Sequence, residues 1–265
     1  MIDKLKFNWI LKVAIILFAF NSIGVVYARG DSQGIISRLE DMRIESQRIP
    51  KDYLYINQGV RVSQSKAQLK ESLANLDEDI DYLNVNLKGE ESQNLLMFLS
   101  FTRDELKEVL RERYNKENGA LIMDFGESLL EGADSIIKNQ TKLRKVKKSM
   151  GSTLGDMILN LERATKYYIA FQAGFKDHNN IKQMNAATSS YEEGIAKLKM
   201  NRRFASTNAK DIKKIKKYWR IVKTFYSGVK KGDLPLIVFV SSDHMEKSLH
   251  RMVQTDKEVI ASNQE

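Results

Sequence analysis

Set against itself with an offset of 115 residues, the chain matches almost without a gap, beginning with Ser37 against Ser152. Leu39, Asp41, Met42, Arg48, Lys51, Tyr53 and Gly59 meet Leu154, Asp156, Met157, Arg163, Lys166, Tyr168 and Gly174. Further along, Gln68, Ile80 and Leu83 meet Gln183, Ile195 and Leu198; near the ends, Leu121, Ile122 and Lys142 meet Leu236, Ile237 and Lys257. Two heptad-rich helices share an apolar period without common descent. A shared glycine position and shared charged residues at one offset do not follow from that period. The chain therefore reads as two copies of one unit.

The period is helical throughout. Ile35, Leu39, Met42, Ser46, Ile49, Tyr53, Ile56 and Val60 step by alternating fours and threes, and Leu154, Met157, Leu161, Ala164, Tyr168, Phe171 and Phe175 repeat that seam. Second helices carry Leu69, Leu73, Leu76, Ile80, Leu83 and Leu87, and Met184, Thr188, Tyr191, Ile195 and Leu198. Third helices centre on Leu99, Leu106 and Leu110, and on Ile212, Ile215, Trp219 and Val222. Fourth helices start near Leu121 and near Leu236. Breaks are expected near Gly59, Lys88-Gly89, Asn118-Gly119, Gly174, Gly228 and Gly232. Of the two prolines, Pro235 suits a helix start, while Pro50 removes a backbone donor from the first seam and should kink it. Thr165 stands in its place in the second copy.

Helices of this length joined by short turns predict an all-α fold of two tandem antiparallel four-helix bundles arranged end to end. The first bundle is expected over 29–148 and the second over 149–265, joined around Lys147-Lys148-Ser149-Met150-Gly151.

Residues 1–28 differ from the rest. Lys4, Lys6 and Lys12 give a positive start, Val13 to Tyr27 is apolar except for Asn21, Ser22 and Gly24, and Val26-Tyr27-Ala28 suits a signal peptidase. The run is shorter than the ~20 residues a spanning helix needs, so a signal peptide and a periplasmic location are expected. An uncleaved segment anchoring the chain in the inner membrane is the alternative. The sequence has no cysteine, which suits passage through an oxidising compartment.

Chemistry is hard to assemble from these residues. His244 and His250 are six apart and fall on different faces of a helix, and no HExxH or ExxH pair accompanies them, so no metal site is expected. No glycine-rich phosphate loop, GxSxG or Ser/His/Asp constellation is present, so neither an enzyme nor a cofactor is expected. Asp77, Glu78, Asp79 and Asp81 read as the solvated side of the second helix. Charge is uneven within the net +9: residues 197–231 hold thirteen Lys and Arg against Asp211 alone. Export argues against nucleic acid as their partner. An anionic membrane surface, an acidic partner or plain solvation remain.

The segment from Met42 to Leu54, Met-Arg-Ile-Glu-Ser-Gln-Arg-Ile-Pro-Lys-Asp-Tyr-Leu, resembles the start of the sensor domain of type IV pili methyl-accepting chemotaxis transducers (PilJ type). That family shows an R-M-x-S-Q-R-[IL]-x-K pattern and is similar to the periplasmic domain of nitrate/nitrite sensor kinases (NarX type). Tyr191-Glu192-Glu193-Gly194-Ile195 looks like the family's second helix, and the resemblance covers residues from about 36 to 260. It implies a sensor-like binding module that takes a small ligand, an oxyanion in the nitrate sensors, or an envelope signalling protein. It also implies a homodimer through first helices, with Arg43 binding the anion where they meet. Ser46 shares a face with Arg43, and Arg48, one turn on, would support it. The chain departs from the pattern at Ile44, where the family has methionine, at Glu45, at Pro50, and at Ile158, which replaces Arg43 in the second copy. Transducers carry two membrane spans, a relay and an output domain; a module without them is expected here. The competing expectation is a structural rod that makes envelope contacts.

Overall fold

The computed structural model of the protein describes residues 34–142, 149–230, 232 and 234–262. The leader read from residues 1–28 lies outside them, as does Lys147-Lys148 of the expected junction. Among the described residues there are nine helices and no strand. They are α1 (residues 34–57), α2 (Val62–Asn86), α3 (Glu90–Arg111), α4 (Lys116–Lys142), α5 (Met150–Gln172), α6 (His178–Met200), α7 (Arg202–Thr207), α8 (Ala209–Ser227) and α9 (Pro235–Ser262). None is long and apolar enough to cross a membrane.

The internal match is repeated in the backbone. α1 ends with Gln58 donating to Leu54 O (2.9 Å), Gly59 to Ile56 O (3.1 Å) and Val60 to Tyr55 O (3.0 Å). α5 ends with Ala173 donating to Ile169 O (2.8 Å), Gly174 to Phe171 O (3.1 Å) and Phe175 to Ala170 O (2.9 Å). Every donor and acceptor is displaced by the same 115 positions. Gly59 and Gly174 both have positive φ, 70° and 97°, as this helix cap requires of its glycine. Two unrelated helices would have no reason to end on the same three bonds at the offset that aligns their sequences.

The two halves are not stacked end to end. α1 runs parallel to α5 and alongside it, with Arg43 reaching Asp156 and Arg48 reaching Glu162. α4 runs antiparallel to α1 and touches α5 through Glu127 and Arg163, and α9 touches α1 through Glu246 and through Phe239 against Tyr55. On the outside of this central quartet, α2 and α3 pack on α1 and α4, and α6 and α8 pack on α5 and α9. The result is four layers of two helices: α2/α3, α1/α4, α5/α9 and α6/α8. Burial explains the choice. From Met42 to Tyr55 every residue is buried except Arg43 and Arg48, and from Met157 to Phe171 every residue except Asn160 and Arg163. A helix closed to solvent on all sides needs neighbours on all sides, which an end-to-end rod would not supply.

Pro50 does not end α1, which continues through it to residue 57. The carbonyl of Ser46, four residues back, loses its helical donor, and α4 passes close to it at Gly126. A Cβ on Gly126 would lie 2.5 Å from Ser46 O and 2.6 Å from Pro50 Cγ. At the matching place in α5, Thr165 keeps the helix bond intact and adds a hydroxyl bond to Leu161 O (2.8 Å).

Two expectations shift. The break expected near Asn118-Gly119 falls at residues 112–115: α3 ends at Arg111, Asn115 caps α4 by accepting from Asn118 N–H (2.7 Å), and Gly119 lies inside α4, where it makes room for the Phe175 ring. Asp79 is not solvated either. It is buried on α2 and accepts from Arg38 at 2.9 Å, while Asp77 accepts from Arg103 and Lys107.

Candidate functional site

The chemistry of this protein is concentrated where the two halves meet. Arg48 and Lys51 are one helical turn apart on α1, and Arg163 and Lys166 repeat them on α5. Each pair is met by carboxylate from the other half, though not in equal numbers. Arg48 donates to Glu45 (3.0 Å) on its own helix, to Glu162 of α5 (3.3 Å) and to Glu246 of α9. Lys51 Nζ lies 2.7 Å from Glu162 Oε2 and 3.5 Å from Asp52 Oδ1. In the reverse direction Arg163 donates to Glu127 of α4 (2.9 Å), and Lys166 bonds to the same carboxylate. Lys166 is fully buried, with its ammonium 4.0 Å from the centre of the Tyr167 ring. Burying charges costs several kcal/mol apiece, repaid only when partners are close and lone pairs are filled. Here the partners are close, but both oxygens of Asp52 and Oε2 of Glu45 accept no hydrogen bond among the described residues, so part of that cost stays in the cluster.

The titration behaviour follows from burial and from unequal numbers. Burial pushes Asp52 up to about 7, with Glu162 and Glu246 adding to the effect and Lys51 opposing it. Glu162 is also raised, by burial first and then Glu246, against Lys51 and Arg48. For Glu246 burial acts upward, but Arg48, the His250 hydrogen bond and Lys51 outweigh it and hold the carboxyl well below its usual range. Burial pulls Lys166 down to about 8 despite Glu127. A polar cavity of about 10 Å³, room for roughly one water, opens beside these groups and is lined in part by Lys51, Glu162, Thr165, Ser242 and Glu246. Next to it the hydroxyls of Thr165, Tyr226 and Ser242 form a closed triangle with sides of 2.8, 3.1 and 3.2 Å.

The three residues expected to hold an oxyanion fall in different settings. Arg43 is part-buried and lies 2.7 Å from Asp134 of α4 and 3.4 Å from Asp156 of α5. Ser46 is buried, donates back to Arg43 O (2.6 Å) and accepts from Gln47 (3.2 Å). Arg48 belongs to the ionic cluster. First helices do meet at Arg43, but they are α1 and α5 of one chain. Reasoning from sequence missed Glu162, Glu246, Glu127, Asp52 and Lys166. The usable signal was the Arg/Lys pair kept in both copies on helices otherwise buried, which marks a charge that must be met from across the interface. Set against protein-family models, curated proteins and solved structures, the chain matches none of them.

Proposed function

We propose that the protein is an exported, periplasmic binding module of the sensor type, made of two copies of a PilJ-like four-helix bundle. It binds a ligand or a partner protein and carries the event across the contact between its first helices. The observation that supports this most is the make-up of that contact: ion pairs line it where a purely structural rod would gain more from an apolar seam. Interlocked charges fix register and have alternative partners within reach. Arg48 already divides itself among three carboxylates. A small shift of α5 along α1 would redistribute those bonds without emptying them, which is what a two-state element needs.

A thermal-shift screen of the natively processed protein tests the reading, with nitrate, nitrite, sulfate, phosphate and the free amino acids as probes, followed by envelope extract. A module is stabilised by its ligand, by about 2.7 kcal/mol at a hundredfold excess over Kd. A flat response to every probe and to the extract would leave the scaffold. Export is tested separately by fractionation with N-terminal sequencing, where intact Met1 on cytoplasmic material would overturn it.

A further inference from the structure

The two outermost layers present faces of opposite character. On α3, Met97, Phe98 and Phe101 are 67, 52 and 60% exposed. They sit mid-helix, with Glu90 and Glu91 before them and Asp104, Glu105 and Glu108 after. Large apolar side chains clustered in this way mark a contact surface more often than chance exposure. On α8, at the far side of the molecule, Lys213, Lys216, Lys217 and Arg220 are exposed around Ile221. Among the described residues no carboxylate lies within ion-pair distance of those four cations, nor any cation within that distance of Glu90, Glu91 or Glu105.

We propose that the protein assembles head to tail, the outer face of α3 in one copy docking on the outer face of α8 in the next. The lengths suit each other: 22 residues in α3 and 19 in α8. At ~1.5 Å per residue Glu91 and Asp104 are roughly 20 Å apart along α3 and Lys213 and Arg220 roughly 10 Å apart along α8, so the basic run lies over the apolar centre and its long side chains reach outward to the carboxylates at either end. The aliphatic stems of lysine and arginine cover Phe98 and Phe101 while their charged ends meet the flanking carboxylates, and Arg220 stacks on a ring. Pairing α3 with α3 would set acid against acid, and pairing α8 with α8 base against base, so like faces repel. Because the two faces lie in opposite layers, one contact leaves a free face at each end and the assembly grows.

Sedimentation velocity on the natively processed protein tests this, with Phe98→Glu/Phe101→Glu and Lys213→Glu/Lys217→Glu as variants. All four positions are exposed, and circular dichroism confirms that each variant is folded. Wild type associates increasingly with concentration, and the association weakens at least about tenfold between about 0.1 and 1 M salt, as the screening length shortens from roughly 10 to 3 Å. Each variant alone stays monomeric. Mixed in equal amounts, the two form a heterodimer and nothing larger, since only one intact pair of faces remains. A wild type that is monomeric at low salt, a lysine variant that associates like wild type, or a mixture that stays monomeric would each overturn the proposal. The thermal-shift result does not depend on any of these outcomes.

Discussion

Lys51 Nζ lies 2.7 Å from Glu162 Oε2 between the two halves of the chain, both side chains closed to solvent. Around them the charges do not balance: Arg48 and Lys51 face Glu45, Asp52, Glu162 and Glu246. Losing a cation therefore leaves more uncompensated charge than losing a carboxylate. Lys51→Met is expected to cost about 3–5 kcal/mol, the range for breaking a buried pair, and Glu162→Gln less than about 2 kcal/mol. The double variant should be more stable than Lys51→Met alone, because it removes the charge that Lys51 had neutralised. Urea unfolding of the four proteins gives the comparison. Equal losses for the two single variants would mean the imbalance has no energetic weight.

Asp52 supplies a pH dependence whose sign can be worked out. Burial first, then Glu162 and Glu246, raise it to about 7 in the folded protein, against about 3.9 in an unfolded chain. The folded state therefore holds a proton that the unfolded state has released. The stability tied to that proton is complete below about pH 4 and is lost as pH rises through 7. Asp79, pushed up to about 7 chiefly by burial, acts in the same direction. Asp52→Asn stays neutral at every pH. It should match wild type near pH 4 and exceed it at pH 8 by roughly 1–3 kcal/mol. Parallel stability curves for the two proteins from pH 4 to 8 would show that Asp52 does not carry the effect.

Two glycines in helices make opposite predictions. A Cβ on Gly126 meets the Ser46 carbonyl at 2.5 Å and the Pro50 ring at 2.6 Å, and a backbone atom and a proline cannot turn aside. Gly126→Ala should therefore cost about 1–3 kcal/mol, through separation of α4 from α1. Gly155 on α5 has no heavy atom within 4 Å of its would-be Cβ. There alanine should raise stability by up to about 1 kcal/mol, by helix propensity alone. Melting temperatures measured side by side decide it, and a neutral Gly126→Ala would mean the helices are not in close contact at that point.

What could be read from the sequence, and what could not, divides along a physical line. Leu39, Met42, Ile49 and Tyr53 are buried where the period put them, as are Leu154, Met157 and Tyr168, because apolar spacing dictates which face of a helix turns inward. The caps at Gly59 and Gly174 were legible because only glycine suits their backbone. The sideways packing of the halves was not. Glu45, Lys51, Asp52, Glu162 and Lys166 look in sequence like the wet side of a helix, and only their partners on other helices reveal them as buried. Pairing across 30 to 200 residues leaves no local trace. Asp79 was hidden in the same way, since its partner Arg38 lies on another helix.

Arg43 offers the sharpest test of the resemblance to nitrate sensors. Its guanidinium is held by Asp134 at 2.7 Å and Asp156 at 3.4 Å, so the fork that would grip an oxyanion already grips two carboxylates of the same chain. Ile158 takes its place on α5, so no second guanidinium arrives from the paired helix to complete a clamp. An incoming nitrate must displace Asp134 or Asp156 and then share the site with the carboxylate it displaced, a like-charge contact that weakens binding. Calorimetry on the wild type with nitrate and nitrite should therefore show no heat of binding. In Asp134→Asn/Asp156→Asn both carboxylates become neutral amides and the fork is free, so weak oxyanion binding should appear. It should vanish again when Arg43→Ala is added, and largely so with Arg43→Lys, which keeps the charge but loses the bidentate geometry. Nitrate binding by the wild type that Arg43→Ala abolishes would mean the carboxylates yield to the anion, and the site would then be an oxyanion sensor built within a single chain.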